Sequence, residues 1–206
     1  MVKVKICGVR DRTGVDACLA ARPDLVGLNF VPGRARAVDL ATGARLARDL
    51  EGLLVVGVFL DAPIDEILRT VDAVGLVAVQ LHGAAPPAQS ALLRARGLTV
   101  LRALRVTGAS LEAEVEAHRP VADYLLFDAP SPGSGVRVAE GALDRLDLSR
   151  AFVAGGLTPD NVGAVVRRHH PAGVDVASGV EIDGRMSPAR VAAFCAAARA
   201  PQQVHS

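Results

Sequence analysis

The sequence has no tryptophan, one tyrosine and five phenylalanines. So few aromatic rings argue against a base-stacking platform and against an interface built on Trp or Tyr anchors. Cysteine is also sparse. Cys7, Cys18 and Cys195 form an odd, widely spaced set, which is not a disulfide framework, and no CxxC or Cys/His spacing points to zinc. Neither sign of charge is in surplus, with 23 Lys plus Arg against 22 Asp plus Glu. The chain therefore lacks the basic excess that a nucleic-acid backbone attracts, and it has no acidic tail. No apolar run approaches the roughly 20 residues of a membrane span, and no leader pattern precedes the first strand-like run. The expected setting is the cytoplasm, with no nucleic-acid or membrane partner.

What is present suits a folded domain. Of 206 residues, 50% are apolar and 22% charged, enough to bury a core made of Ala, Val and Leu. Apolar runs and helical patterns alternate along the whole length. Strand-like runs are expected at Val2–Cys7, Leu25–Phe30, Leu53–Phe59, Val77–Leu81, Thr99–Leu104, Ala122–Asp128, Ala151–Ala154 and Gly173–Val176. Helical patterns follow them at Asp11–Ala21, Asp39–Leu50, Pro63–Val71, Pro86–Arg96, Leu111–His118, Ala139–Leu146, Pro159–Arg168 and Pro188–Ala200. Asp11 or Thr13 is placed to cap the first of these helices, Asp39 the second, and Gly97 stops the fourth.

Strands that are apolar throughout are covered on both faces, which implies parallel pairing through helical crossovers. Eight such units of roughly 25 residues fit a closed (β/α)8 barrel. The alternative, an open doubly wound sheet, is disfavoured because no GxGxxG follows the first strand. The expected organisation is one α/β barrel domain over residues 1–200 and a disordered tail over 201–206.

In a parallel barrel the reactive residues sit at the C-terminal strand ends and in the loops beyond them. That rule selects Lys5 and Cys7, Asn29, Arg34 and Arg36, Asp61, Gln80 and His82, Arg105, Asp128, Gly155 and Gly156, and Asp175 with Ser178 and Gly179. At these positions run VKICG (Val4–Gly8), an Arg-bearing loop ending at Arg36, VGVF (Val56–Phe59), VQLHG (Val79–Gly83), LLFD (Leu125–Asp128), AGGLTPDNV (Ala154–Val162) and GVDVASGVE (Gly173–Glu181). Together and in this order, they resemble the phosphoribosylanthranilate isomerase family of tryptophan biosynthesis along nearly the whole chain.

The resemblance implies an Amadori rearrangement of an N-linked ribose 5-phosphate, with no metal and no cofactor. An acid opens the ring to a protonated imine, and a base removes the proton at C2. Cys7 matches the family's base. A thiol serves as a base if nearby cations draw its pKa towards neutrality, and Lys5 lies two residues away on the same strand face. Asp128 matches the family's acid, and burial at the end of an apolar strand favours the protonated carboxyl. Arg36 matches the arginine that takes the anthranilate carboxylate, for which its planar fork is suited. Gln80, His82 and Asp175 are placed to orient substrate hydroxyls or the amine. Barrels often hold a phosphate on the loops after strands seven and eight, which points to Gly155, Gly156, Ser178 and Gly179.

Each residue taken alone has a plainer explanation: a packing cysteine, a loop-capping aspartate, turn glycines, a solvated arginine, a structural histidine. Cys18 and Cys195 lie in Ala-rich helical patterns and read as packing residues. The chain departs from the family after Asp128, where a Gly-Gly-Thr-Gly-Lys segment and an aromatic pair are replaced by Pro130–Arg137 (PSPGSGVR). A family Ser-Pro-Arg becomes Arg34-Ala35-Arg36, and Ala177 replaces a serine. Two further readings stay open: the same isomerisation on a different N-ribosyl phosphate, and a non-catalytic barrel that binds phosphorylated ligands. The assembly is expected to be a monomer or a homodimer.

Overall fold

A computed structural model describes residues 1–106, 111–128 and 143–200. Eight parallel strands close into a barrel: β1 (Lys3–Cys7), β2 (Leu25–Asn29), β3 (Leu54–Leu60), β4 (Ala78–His82), β5 (Thr99–Arg105), β6 (Tyr124–Asp128), β7 (Ala151–Val153) and β8 (Gly173–Val176). Each strand pairs with the next in sequence. The ring closes between β8 and β1, where Lys5 stands opposite Asp175. This is the expected (β/α)8 fold, and the open-sheet alternative is set aside.

The helices among the described residues are α1 (Arg12–Ala21), α2 (Leu40–Asp49), α3 (Ile64–Val74), α4 (Pro87–Ala95), α5 (Leu111–His118), α6 (Val162–His169) and α7 (Pro188–Arg199). Local chemistry sets their ends. The Asp11 carboxylate accepts from Gly14 N at 3.0 Å and Asp39 from Thr42 N at 2.7 Å, so two aspartates cap α1 and α2. Helix α3 carries Asp65 and Glu66 in its first turn and stops at Gly75 in the left-handed region.

Two expected helices differ. Of Ala139–Leu146, residues 139–142 lie outside the described part. Residues 143–146 form a turn, with Leu146 N donating to Leu143 O at 3.1 Å. The Asp147 side chain accepts from Ser149 N at 3.0 Å, a local bond that competes with helix. The α6 helix begins at Val162 rather than Pro159. Its delay comes from Asn161, whose amide accepts from Thr158 N at 2.8 Å and donates to Gly156 O at 2.9 Å. Beyond β8 the chain adds elements too short to read in a sequence pattern: a 3-10 turn (Ser178–Val180) and a hairpin of β9 (Glu181–Ile182) and β10 (Arg185–Met186).

Two apolar layers hold the barrel. Residues of alternate strand positions, among them Leu25, Val56, Ala78, Leu101, Leu126 and Phe152, fill its interior. Phe152 meets Tyr124 edge-on with ring centroids 5.4 Å apart, and a Cβ at Gly173 would collide with its ring. The opposite strand faces pack under the helices in a larger layer that includes Ile6, Leu28, Leu81, Phe127 and Phe194. Cys18 and Cys195 belong to that layer. Burying each Val or Leu contributes about 1.5–3 kcal/mol, so this frame is stiff enough to hold polar groups inside it.

Candidate active site

The interior turns polar towards the C-terminal strand ends. On β1 Lys5 and Cys7 share the inward face. Lys5 is fully buried, and its ammonium donates to Asp175 at 2.9 Å across the β1–β8 closure. A buried charge needs such a partner. Burial lowers the Lys5 pKa, but Asp175 and the neighbouring Cys7 thiol outweigh it and hold the ammonium above its ordinary value.

Cys7 stands beside this pair. A Cβ at Gly27, its register partner on β2, would lie 2.8 Å from the Cys7 sulfur and 3.3 Å from the Lys5 Nζ. Gly27 thus makes room for both groups. Here the structure corrects the sequence reading. Burial pushes the Cys7 thiol up; Lys5 and Arg36 draw it down, Asp175 adds to the rise, and the balance stays above the ordinary value. The reason is burial first: the cost of a thiolate away from water exceeds the draw of Lys5, and the Asp175 carboxylate beside that lysine adds to the rise.

Asp128 closes β6 and is buried, facing the same cavity. Its backbone is fixed by Val106 N, which donates to Asp128 O at 3.1 Å. On β4, Gln80 and His82 face the cavity two residues apart, with Gln80 Nε2 and His82 Nε2 2.6 Å from each other. Burial, then the cations Lys5, Arg102 and Arg105, lower the His82 pKa to about 4, so this imidazole is neutral near pH 7. The amide oxygen of Gln80 is buried with no partner among the described residues, an open acceptor for a ligand hydroxyl.

The loops after β7 and β8 meet on one side. Gly155 and Gly156 have φ of +88° and +65°, a conformation that favours glycine. A Cβ at Gly179 would strike the Leu157 carbonyl. These glycines therefore let two backbones approach closely and leave peptide groups at the rim, beside Ser178. Asn161 locks the first loop from below through the bonds already described. Arg36, in the loop after β2, spans the rim to Glu181. Its Nε donates to Oε1 at 2.7 Å and its Nη2 to Oε2 at 2.5 Å. Glu181 was missed in the sequence as a site residue, although it closes the GVDVASGVE segment.

All ten candidates, Cys7, Arg36, Gln80, His82, Asp128, Gly155, Gly156, Asp175, Ser178 and Gly179, line one cavity of about 1160 Å³ at the C-terminal mouth. Asn29, Arg34, Asp61 and Arg105 join them. The divergent segment Pro130–Arg137 lies outside the described residues. Among the described residues no group of three or more His, Cys, Asp and Glu side chains is placed to hold a metal ion, and no helix is long and apolar enough to cross a membrane.

This fold and mouth define an enzyme of the parallel eight-stranded barrel class, with its ionisable groups gathered at one rim. The sequence matches the N-(5'phosphoribosyl)anthranilate (PRA) isomerase family over residues 4–197. It is 44% identical to the N-(5'-phosphoribosyl)anthranilate isomerase of Myxococcus xanthus over 188 residues, 87% of each chain. The crystal structure of TrpF from Jonesia denitrificans superposes with a TM-score of 0.82 at 34% identity, covering 97% of both chains. A phosphoribosyl anthranilate isomerase in complex with reduced 1-(o-carboxyphenylamino)-1-deoxyribulose 5-phosphate superposes with a TM-score of 0.82 at 28% identity, covering 96% of this chain and 98% of that one. The chain belongs to the N-(5'-phosphoribosyl)anthranilate isomerase family, and it is an isomerase.

Proposed function

We infer that the chain converts N-(5'-phosphoribosyl)anthranilate into the corresponding 1-(o-carboxyphenylamino)-1-deoxyribulose 5-phosphate by an Amadori rearrangement, a step of tryptophan biosynthesis in the cytoplasm. The carrying observation is that a thiol, Cys7, and a buried carboxyl, Asp128, face one cavity whose rim is built from closely apposed glycine loops. That arrangement supports acid–base work on a small phosphorylated sugar better than a purely binding role, and it leaves the non-catalytic reading without support.

Asp128 donates a proton to the furanose ring oxygen, and the C1–O bond breaks to give the protonated imine. Cys7, as its thiolate, takes the proton from C2; the C2–H electron pair forms the C1–C2 double bond of the enolamine, and the C1–N double-bond pair returns to nitrogen. The proton from the C2 hydroxyl leaves as the carbonyl forms, and C1 is protonated. Atoms and electrons balance within the substrate, so no outside oxidant or reductant enters. The phosphate sits on the backbone of Gly155, Gly156 and Gly179 with the Ser178 hydroxyl. Gln80 and the neutral His82 orient the sugar hydroxyls, and Asp175 aids them while holding Lys5. Arg36 receives the anthranilate carboxylate.

Residues 1–200 act as one barrel, as monomer or homodimer; residues 201–206 lie outside the described residues. The test is turnover of N-(5'-phosphoribosyl)anthranilate by the purified protein, followed by loss of anthranilate-type fluorescence. Asp128→Asn should lower kcat by about 10²–10⁴-fold, the usual weight of a general acid. No turnover by the unaltered protein, with a ribose-phosphate ligand still raising its unfolding temperature, would sink the substrate assignment and favour a different N-ribosyl phosphate.

A further inference from the structure

A guanidinium offers two bidentate edges, one from Nε and Nη2 and one from Nη1 and Nη2. In this chain Glu181 occupies the first edge of Arg36 with both carboxylate oxygens. The pair is sheltered, with the Glu181 side chain 10% exposed and that of Arg36 26% exposed. Arg36 lines the cavity, whereas Glu181 does not. The stem passes close over Gly8, where a Cβ would collide with the Arg36 Cδ. Arg10 donates to the carbonyl of Ala35, beside Arg36, and to Gly184 O at 2.7 Å in the hairpin that begins at Glu181. Ala37 forms an isolated bridge to Asn29, which fixes the far side of the same loop.

We propose that Glu181 is a positioning residue that sets substrate specificity: it locks the plane of Arg36, so that only the Nη1/Nη2 edge faces the cavity to receive the aglycone's carboxylate. The proposal rests on the reading of Arg36 as the carboxylate's partner. Without Glu181 the arginine keeps its charge and gains freedom, and each binding event must then order a long side chain. Substrates with a carboxylate on the ring lose affinity, and those without one do not.

The experiment compares the unaltered protein with Glu181→Ala, Glu181→Gln and Arg36→Ala. It measures kcat and KM for N-(5'-phosphoribosyl)anthranilate. It also measures inhibition constants for reduced 1-(o-carboxyphenylamino)-1-deoxyribulose 5-phosphate and for its phenylamino counterpart without the carboxylate. Glu181→Ala should raise KM and the first inhibition constant about tenfold, keep kcat within about threefold and leave the second constant unchanged, the pattern of lost uniform binding. Glu181→Gln should recover part of the loss, because its amide oxygen still accepts from the fork. Equal weakening of both inhibitors, unchanged KM, or tighter binding in Glu181→Ala would overturn the proposal. If Glu181→Ala fails to fold, Glu181→Gln carries the same comparison. If Arg36→Ala leaves the carboxylate's contribution intact, the reading of Arg36 itself falls. If Arg36→Ala removes that contribution and Glu181→Ala does not, only the positioning role falls.

Discussion

At the scale of single residues, Cys7 is a base held mostly as its thiol. Burial raises its pKa more than Lys5 and Arg36 lower it, so the thiolate fraction near neutrality is small. That fraction grows about tenfold with each pH unit until the raised pKa is reached. Catalysis also needs Asp128 protonated, so a gain in thiolate with pH is offset wherever Asp128 ionises, and the clearer test is removal of the base: Cys7→Ala should lower kcat by about 10²–10⁴-fold. Cys7→Asp, whose carboxyl can also accept a proton, should recover part of that loss. A Cys7→Ala variant whose kcat stays within about threefold of the unaltered protein would remove Cys7 from the role of base. The cysteine's place at a strand end was legible in the sequence, since KICG fixes it there. Its ionisation was not, because that depends first on burial in the closed barrel and then on the pairing of Lys5 with Asp175, 170 residues apart.

At the scale of elements, the loops after β7 and β8 function as a pair. The Cβ of Gly179→Ala would meet the Leu157 carbonyl, a backbone atom without freedom to step aside. The substitution should separate the two loops. We expect KM to rise at least about tenfold and stability to fall by about 1–3 kcal/mol, as for overpacking elsewhere. Titrating inorganic phosphate as a competitive inhibitor and unfolding in urea check the two effects separately. An unchanged inhibition constant would show that phosphate binds elsewhere. Most elements were readable in advance because each carries local signals: apolar runs for the strands, and Asp11 and Asp39 as caps. The exceptions have local causes too. Asn161 and Asp147 each bond nearby backbone and deny helix to the residues around them. The two-residue strands β9 and β10 are too short for any periodicity, which is why Glu181 escaped notice.

At the scale of the whole molecule, stability depends on keeping neutral groups neutral. His82 has a folded pKa of about 4 against 6.5 for its ordinary value, and burial lowers His118 in the same direction. Between these two pH values the unfolded chain binds a proton that the folded chain refuses, so the folded state loses stability as pH falls from about 6.5 to about 4. Urea unfolding at pH 7 and pH 4.5 should show the loss, and His82→Gln should reduce it. The carboxylates Asp24, Asp39 and Asp147 lie below their ordinary value of 3.8. Their contributions are lost at more acid pH, so the two effects separate. A stability curve level between pH 6.5 and 4.5 would contradict the placement of His82.

The Lys5–Asp175 bond spans the seam where the first strand meets the eighth. During synthesis the lysine beside Cys7 precedes its counter-ion by 170 residues. Until β8 docks, β1 carries an ammonium that has no place in an apolar interior. The last strand therefore both completes the ring and brings the counter-ion that allows the floor of the site to be buried.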